Sequence, residues 1–131
     1  MVCIYTTGEL SIAFFDLFIS ARPRAEAFAF PVAFSLDIFG DRWTLLVIRD
    51  LFYGRTRFKE FAGSPEGIPT NILTDRLERL LARGVIEQMP AEDGTKRLAY
   101  RLTKKGKALG PVLKAMRNWG LTWDKSTRVL A

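Results

Sequence analysis

Asn71, Thr74, Arg76 and Arg79 fall within one stretch, residues 70–83, that also carries Leu73, Leu77, Leu80 and Leu81. At 100° per residue the four leucines share one side, the i, i+4, i+7, i+8 stripe of a helix seated on a core. Asn71, Thr74, Asp75 and Glu78 share the opposite side, and Arg76 and Arg79 flank it. The chemistry open to such a face is recognition. Asn pairs bidentately with adenine, Thr offers a hydroxyl and a methyl group, and Arg meets a base edge or a phosphate. Thr70, at the start of the stretch, joins this set. Asp75 and Glu78 would repel phosphate, so they either accept a hydrogen bond from cytosine or hold the neighbouring arginines in place. Taken alone, the stretch also reads as an ordinary amphipathic helix with a solvated outer face.

Catalysis and metal binding have little to work with. The 131 residues, enough for one domain, include no histidine and a single cysteine, Cys3. Disulfide scaffolds, Cys/His zinc sites and Ser-His-Asp or Cys-His nucleophiles are therefore excluded within one chain. The composition implies no enzyme, no metal and no cofactor. The formal charge is +6, and it is unevenly spread: residues 1–40 carry two basic and four acidic side chains, whereas residues 41–131 carry 18 basic and 10 acidic. Between Lys96 and Arg117 there are eight basic residues and no acidic one. A field of one sign on part of a small domain suits a polyanion, nucleic acid first and an acidic membrane surface second; a merely soluble basic surface is the plain alternative.

The elements that must position the recognition face follow from period and punctuation. Pro31 opens a helix with Val32, Leu36 and Phe39 at helical spacing, closed by Gly40. Asp41 caps a second helix, Trp43 to about Phe52, carrying Leu45, Leu46, Ile48 and Leu51, and Gly54 ends it. Thr56 is expected to cap a short helix through Phe61, with Phe58 and Phe61 inward. A loop rich in turn formers, Gly63-Ser64-Pro65-Glu66-Gly67, leads to the long helix, about Thr70 to Arg83, stopped by Gly84. The period then becomes twofold: a strand over 85–89, a polar tip over 90–95, and a returning strand on which Leu98, Tyr100 and Leu102 alternate. Thr103 caps a final helix with Leu109, Val112, Leu113, Met116 and Trp119 on its apolar face, kinked at Pro111.

A short helix, a long helix and a two-stranded ribbon make an α+β, mostly helical, winged helix-turn-helix. Its long helix enters the major groove while the hairpin lies along the adjacent backbone. Lys96 and Arg97, just past the hairpin tip, are placed to meet phosphate, as is Arg57. Glu92 and Asp93 either point outward or weaken that contact.

The first thirty residues stand apart. Leu10 to Ile19 is apolar except for Ser11 and Asp16, too short for a spanning helix. No Lys or Arg precedes it and Glu9 does, which argues against a secretory signal. It reads as a helical arm packed on the domain or on a second subunit, where Phe14, Phe15, Leu17 and Phe18, with Trp119 and Trp123, form either a plain dimer core or an interface enclosing a hydrophobic ligand.

From about Pro31 to Trp123 the chain resembles the HxlR family of bacterial winged-helix transcriptional regulators. The matching stretches are Pro31-Val32-Ala33, Asp37 to Leu51 with its Gly40-Asp41-Arg42-Trp43-Thr44-Leu45-Leu46 block, Arg57-Phe58-Lys59-Glu60-Phe61, Gly67-Ile68, Leu73-Thr74-Asp75-Arg76-Leu77 with Leu80, and Gly84-Val85-Ile86. Tyr100-Arg101-Leu102-Thr103, Gly106, Pro111-Val112-Leu113 and Trp119-Gly120 complete them. The resemblance implies a homodimeric DNA-binding repressor or activator, with terminal helices making the dimer. Members of the family often carry a cysteine directly before Pro-Val, and some use it to sense oxidants or electrophiles; Phe30 stands there in this chain.

The expectation is a cytoplasmic regulator that binds double-stranded DNA at an inverted repeat through Arg57, Thr70, Asn71, Thr74, Arg76, Arg79, Lys96 and Arg97. A hydrophobic small-molecule effector is left open, and no membrane is involved. The domain plan is an arm over 1–30, the winged helix-turn-helix over 31–123 and a tail over 124–131. The chief rival is a winged helix that docks on another protein.

Overall fold

A computed structural model describes residues 30–90, 93–94 and 96–130. Residues 1–29 of the expected arm, with Cys3 and the apolar run Leu10 to Ile19, lie outside the described residues, as do Ala91, Glu92 and Thr95 of the hairpin tip and Ala131. By compactness the chain divides into residues 1–40 and residues 41–131.

Of the first unit, α1 (Pro31–Phe39) begins with proline in the first turn, where a missing N–H costs nothing. Gly40 closes it through its N–H on the Leu36 carbonyl at 2.7 Å. A Cβ at Gly40 would lie 2.4 Å from that carbonyl oxygen, so the stop requires glycine.

The second unit runs α2 (Thr44–Phe52), α3 (Phe58–Ala62), α4 (Thr70–Ala82), β1 (Ile86–Pro90), β2 (Leu98–Leu102), α5 (Lys104–Lys107) and α6 (Gly110–Trp123). Its core is one cluster: Val47, Ile48 and Leu51 from α2, Phe61 from α3, Leu73, Leu77 and Leu80 from α4, with Ile68, Val85, Ile86 and Ala99. The leucine stripe of α4 is thus seated as its spacing requires, with Leu81 half-buried at its edge. The apolar residues of α2 divide between two surroundings. Val47 joins Ile48 and Leu51, whereas Leu45 and Leu46 line an open groove against α6.

The strands pair antiparallel, Ile86 opposite Leu102 through Pro90 opposite Leu98, with the ion pair Arg101–Glu87 across the ladder. Near the tip the buried residue of β2 is Ala99, and Leu98 is exposed. Tyr100 ties β2 to the segment before α3 by donating its N–H to the Thr56 carbonyl at 2.8 Å, and its ring meets Phe61 edge-on at 6.2 Å.

One expected cap shifts and one expected helix divides. Thr56 does not cap α3. Glu60 reaches back instead, accepting the N–H groups of Thr56 and Arg57 at 3.2 and 3.1 Å. The final helix is two helices rather than one kinked helix. Pro111 lacks an N–H, and its ring excludes the carbonyl four residues earlier, that of Lys107, where α5 ends. Thr103 does cap α5, accepting the Gly106 N–H at 3.2 Å. Gly106 is forced to be glycine, because a Cβ there would sit 2.2 Å from the Val85 carbonyl oxygen. That close approach seats α5 against the turn after α4.

No helix among the described residues is long and apolar enough to cross a membrane, and no described group of three His, Cys, Asp or Glu side chains could hold a metal ion.

Candidate nucleic-acid interface

The helix-turn-helix pair is α3 and α4, and the turn between them is held by charge. Arg49 of α2 grips Glu66 in the turn through two bonds, 2.6 and 2.9 Å, and also pairs with Asp50 at 2.8 Å. Asp50 is buried and takes Arg55 at 3.0 Å and the Ser64 hydroxyl at 2.9 Å. A buried carboxylate with this many donors is satisfied rather than reactive. The bond from Arg49 holds Glu66 down to about 2, although burial opposes it. Sequence reading missed this network; its visible trace was Asp50, an acid inside the apolar run Leu45–Leu51. Gly67, at φ +68°, turns the chain toward Ile68 and Pro69 in a conformation that favours glycine.

No side chain caps the start of α4. Its first-turn N–H groups therefore present the positive end of the helix beside Thr70 and Asn71. Thr70, Asn71, Thr74, Glu78 and Arg79 are all exposed. The Thr74 hydroxyl donates to the Thr70 carbonyl at 2.9 Å, which orients its oxygen and methyl group. Arg79 keeps 63% of its side chain exposed while its Nε lies 3.3 Å from Asp75. Of the two roles open to Asp75, the structure displays the holding of arginines.

Arg76 is placed differently. Its side chain is only 18% exposed and turns inward, with Nε donating to Asp41 at 2.8 Å and a second pairing to Asp75. Burial alone would raise the Asp41 carboxyl, but hydrogen bonds from Thr44, Arg76 and the Trp43 N–H outweigh it and hold it down to about 2. The Arg76 guanidinium is raised in turn, chiefly by its bond to Asp41. Arg76 is therefore not gathered with the outward set on α4.

On the hairpin, which packs against α4 through β1, Lys96 and Arg97 are exposed. Arg57, at the start of α3, forms an ion pair with Asp93 of the tip. One partner of the wing's acidic pair is thus engaged within the protein rather than standing outward. Lys105 sits at the opposite end of α4, its ammonium donating to the Arg83 carbonyl at 2.7 Å, where a cation suits the helix dipole.

The profile of the HxlR-like helix-turn-helix family matches residues 38–128, more than half of the chain. This chain belongs to that family. Among its relatives, the HTH-type transcriptional regulator MT3179 of Mycobacterium tuberculosis is 36% identical over 86 residues, 66% of this chain and 54% of the relative. The HTH-type transcriptional regulator YvaP of Bacillus subtilis is 33% identical over 89 residues, 68% of this chain and 82% of the relative. This HxlR-like chain thus spans about half the length of the first of these and most of the second. The solved structure of PA1607, described as a transcription factor, superposes with a TM-score of 0.70 at 45% identity, covering 77% of this chain and 71% of that one. The winged helix-turn-helix expected from the sequence is the observed fold.

Proposed function

We propose that this HxlR-like chain is a sequence-specific DNA-binding regulator of transcription that acts in the cytoplasm as a homodimer on an inverted repeat. The carrying observation is α4, whose Leu73, Leu77 and Leu80 are buried while Thr70, Asn71, Thr74 and Arg79 are exposed beside a hairpin bearing Lys96 and Arg97. Thr70, Asn71 and Thr74 read base edges in the major groove, Arg79 meets a base or a phosphate, and Lys96 and Arg97 neutralise backbone phosphate. Arg57, shared with Asp93, meets phosphate at the foot of the wing. Residues 31–123 form the regulator's winged domain, 1–30 an arm and 124–131 a tail.

A second copy is drawn in by α6, where Met116, Trp119 and Trp123 are exposed at 53, 69 and 73%. Aromatic surface of that extent on a single helix fits an interface between copies. Two α4 helices then enter successive major grooves one helical turn apart. Occupying a promoter in this way is enough to change transcription, and the mechanism needs no reaction chemistry.

Selection of bound duplexes from a random pool, at stated salt, tests the reading. An enriched, imperfect inverted repeat is expected. Asn71→Ala then costs about 1–3 kcal/mol on the selected site and little on random DNA. Equal losses on both DNAs remove Asn71 from the reading set, and failure to shift any duplex at low salt favours the rival, a winged helix that docks on protein.

A further inference from the structure

Resting on the reading of α4 as the recognition helix, we infer that Arg76 is a positioning residue, a strut joining the start of α2 to the recognition helix, and that it sets the direction in which α4 and Arg79 meet DNA.

The geometry is a continuous chain of charged hydrogen bonds. At one end Asp41 accepts the N–H groups of Trp43 and Thr44 at 2.9 and 3.1 Å, together with the Thr44 hydroxyl, and so is fixed to the first turn of α2. Thr44 itself is buried. Asp41 then receives Arg76 Nε at 2.8 Å, across 35 residues of sequence. Arg76 pairs onward with Asp75, and Asp75 lies 3.3 Å from Arg79 Nε. The chain ends on a cation that is 63% exposed. It crosses from the interior to the outer face of α4 without a gap.

Such a strut supplies what the hydrophobic contacts do not. Leu73, Leu77 and Leu80 lie along one stripe and press α4 onto the core, but burial is non-directional and resists rolling of the helix about its own axis weakly. A guanidinium bonded through defined N–H vectors to a carboxylate on a different helix fixes that rotation. Readout of base edges needs donors and acceptors held within a fraction of an ångström, so a small roll of α4 would spare backbone contacts and spoil sequence discrimination. The depressed Asp41 carboxyl agrees with a pair that is formed in the folded protein.

The test is a double-mutant cycle on the full chain with Arg76→Met and Asp41→Asn; asparagine keeps an oxygen to cap α2. Affinities for the selected duplex and for a random duplex are measured across a salt series. Arg76→Met is expected to weaken the selected site about tenfold, leave random DNA within about twofold, and leave the salt slope unchanged; Asp41→Asn should do the same, and the double variant should be no worse than either. A salt slope reduced by about one with equal losses on both duplexes, additive effects, or unchanged discrimination in Arg76→Met would each overturn the strut.

Arg76→Lys, which keeps a cation for Asp41, should restore part of the discrimination at an unchanged unfolding midpoint, separating positioning from failure to fold. A DNA-free readout distinguishes loss of the strut from loss of the DNA reading. The Arg76 Nε–H resonance should exchange slowly with water in the free protein and quickly in Asp41→Asn; fast exchange in the unsubstituted chain would overturn the strut. Slow exchange in a chain that prefers no duplex would instead overturn only the reading of α4.

Discussion

The helices α4 and α6 are of nearly equal length and equally amphipathic by sequence, yet the chain treats them in opposite ways. The apolar stripe of α4 is finished by its own protein, with Leu73, Leu77 and Leu80 exposed by 0, 2 and 1%. That of α6 is left open, with Trp119 and Trp123 exposed by 69 and 73%. Periodicity announces that a helix has a face to bury; it does not say against what. A helix completed internally can turn its polar face to a ligand as a rigid surface. A helix left open spends its apolar face on another molecule, which the proposed homodimer supplies.

The contrast makes different demands on mutation. Leu73→Ala should remove about 3 kcal/mol of stability, since a fully buried leucine loses both its transfer energy and its packing. Urea unfolding would show this as a lower midpoint at an unchanged slope. Trp119→Ala with Trp123→Ala should leave the stability of an isolated subunit within about 0.5 kcal/mol. The same pair should weaken self-association by about 2 kcal/mol, or roughly thirtyfold, in sedimentation equilibrium. If the tryptophan variants unfold as readily as Leu73→Ala, or if the unsubstituted chain sediments as a monomer throughout, the contrast between the helices fails.

Where sequence reading succeeded, the deciding interactions were local. The stripe of α4 and the positive-φ turns at Gly54 and Gly84 each follow from a few consecutive residues, whereas the expected alternation of the returning strand fails at Leu98, which is exposed where Ala99 is buried. The misses lie where one side chain or backbone group found a partner that periodicity does not specify. Arg76 flanks the polar side on a helical wheel, and Asp41, 35 residues earlier, draws it in. The cap of α3 passed from Thr56 to Glu60 because Arg57, not Thr56, stands at the N-cap and the Glu60 carboxylate accepts the N–H groups of Thr56 and Arg57. The final helix broke into two because Pro111 ends α5 at Lys107, while Gly106 must approach Val85. The burial of Asp50 depended on Arg55 and Ser64 meeting around it. Of the candidate site, the exposed members on α4 and the wing cations were legible, because solvent exposure is the default for a polar residue opposite an apolar stripe.

The ion pairs behind α4 add a dependence on pH. Asp41 and Glu66 are both held down to about 2, below their ordinary values of 3.8 and 4.5. The folded state therefore binds fewer protons at these groups than the unfolded state does. Their stabilisation is complete above about pH 4.5 and is lost as pH falls toward 2. The expected loss is about 1–2 kcal/mol for each group, since both side chains are partly in water. Glu66→Gln should flatten that limb of a stability profile followed by urea unfolding between pH 5 and 2. An unchanged profile would show that Arg49 holds the turn without help from the Glu66 charge.

The smallest expected effect separates the wing from α4 within the interface itself. Lys96 and Arg97 are exposed and sit on a hairpin, not on α4, so in the proposed complex they would meet DNA as charges rather than as shaped donors. Lys96→Gln should reduce the slope of log K against log salt by about 0.9 and weaken selected and random duplexes equally. Arg97→Gln should do likewise, and the two should add, because diffuse phosphate neutralisation needs no mutual geometry. Asn71→Ala should leave that slope untouched. A wing variant that changed which sequence is selected would move part of the recognition from α4 to the hairpin, and the division of labour between a reading helix and a neutralising wing would have to be redrawn.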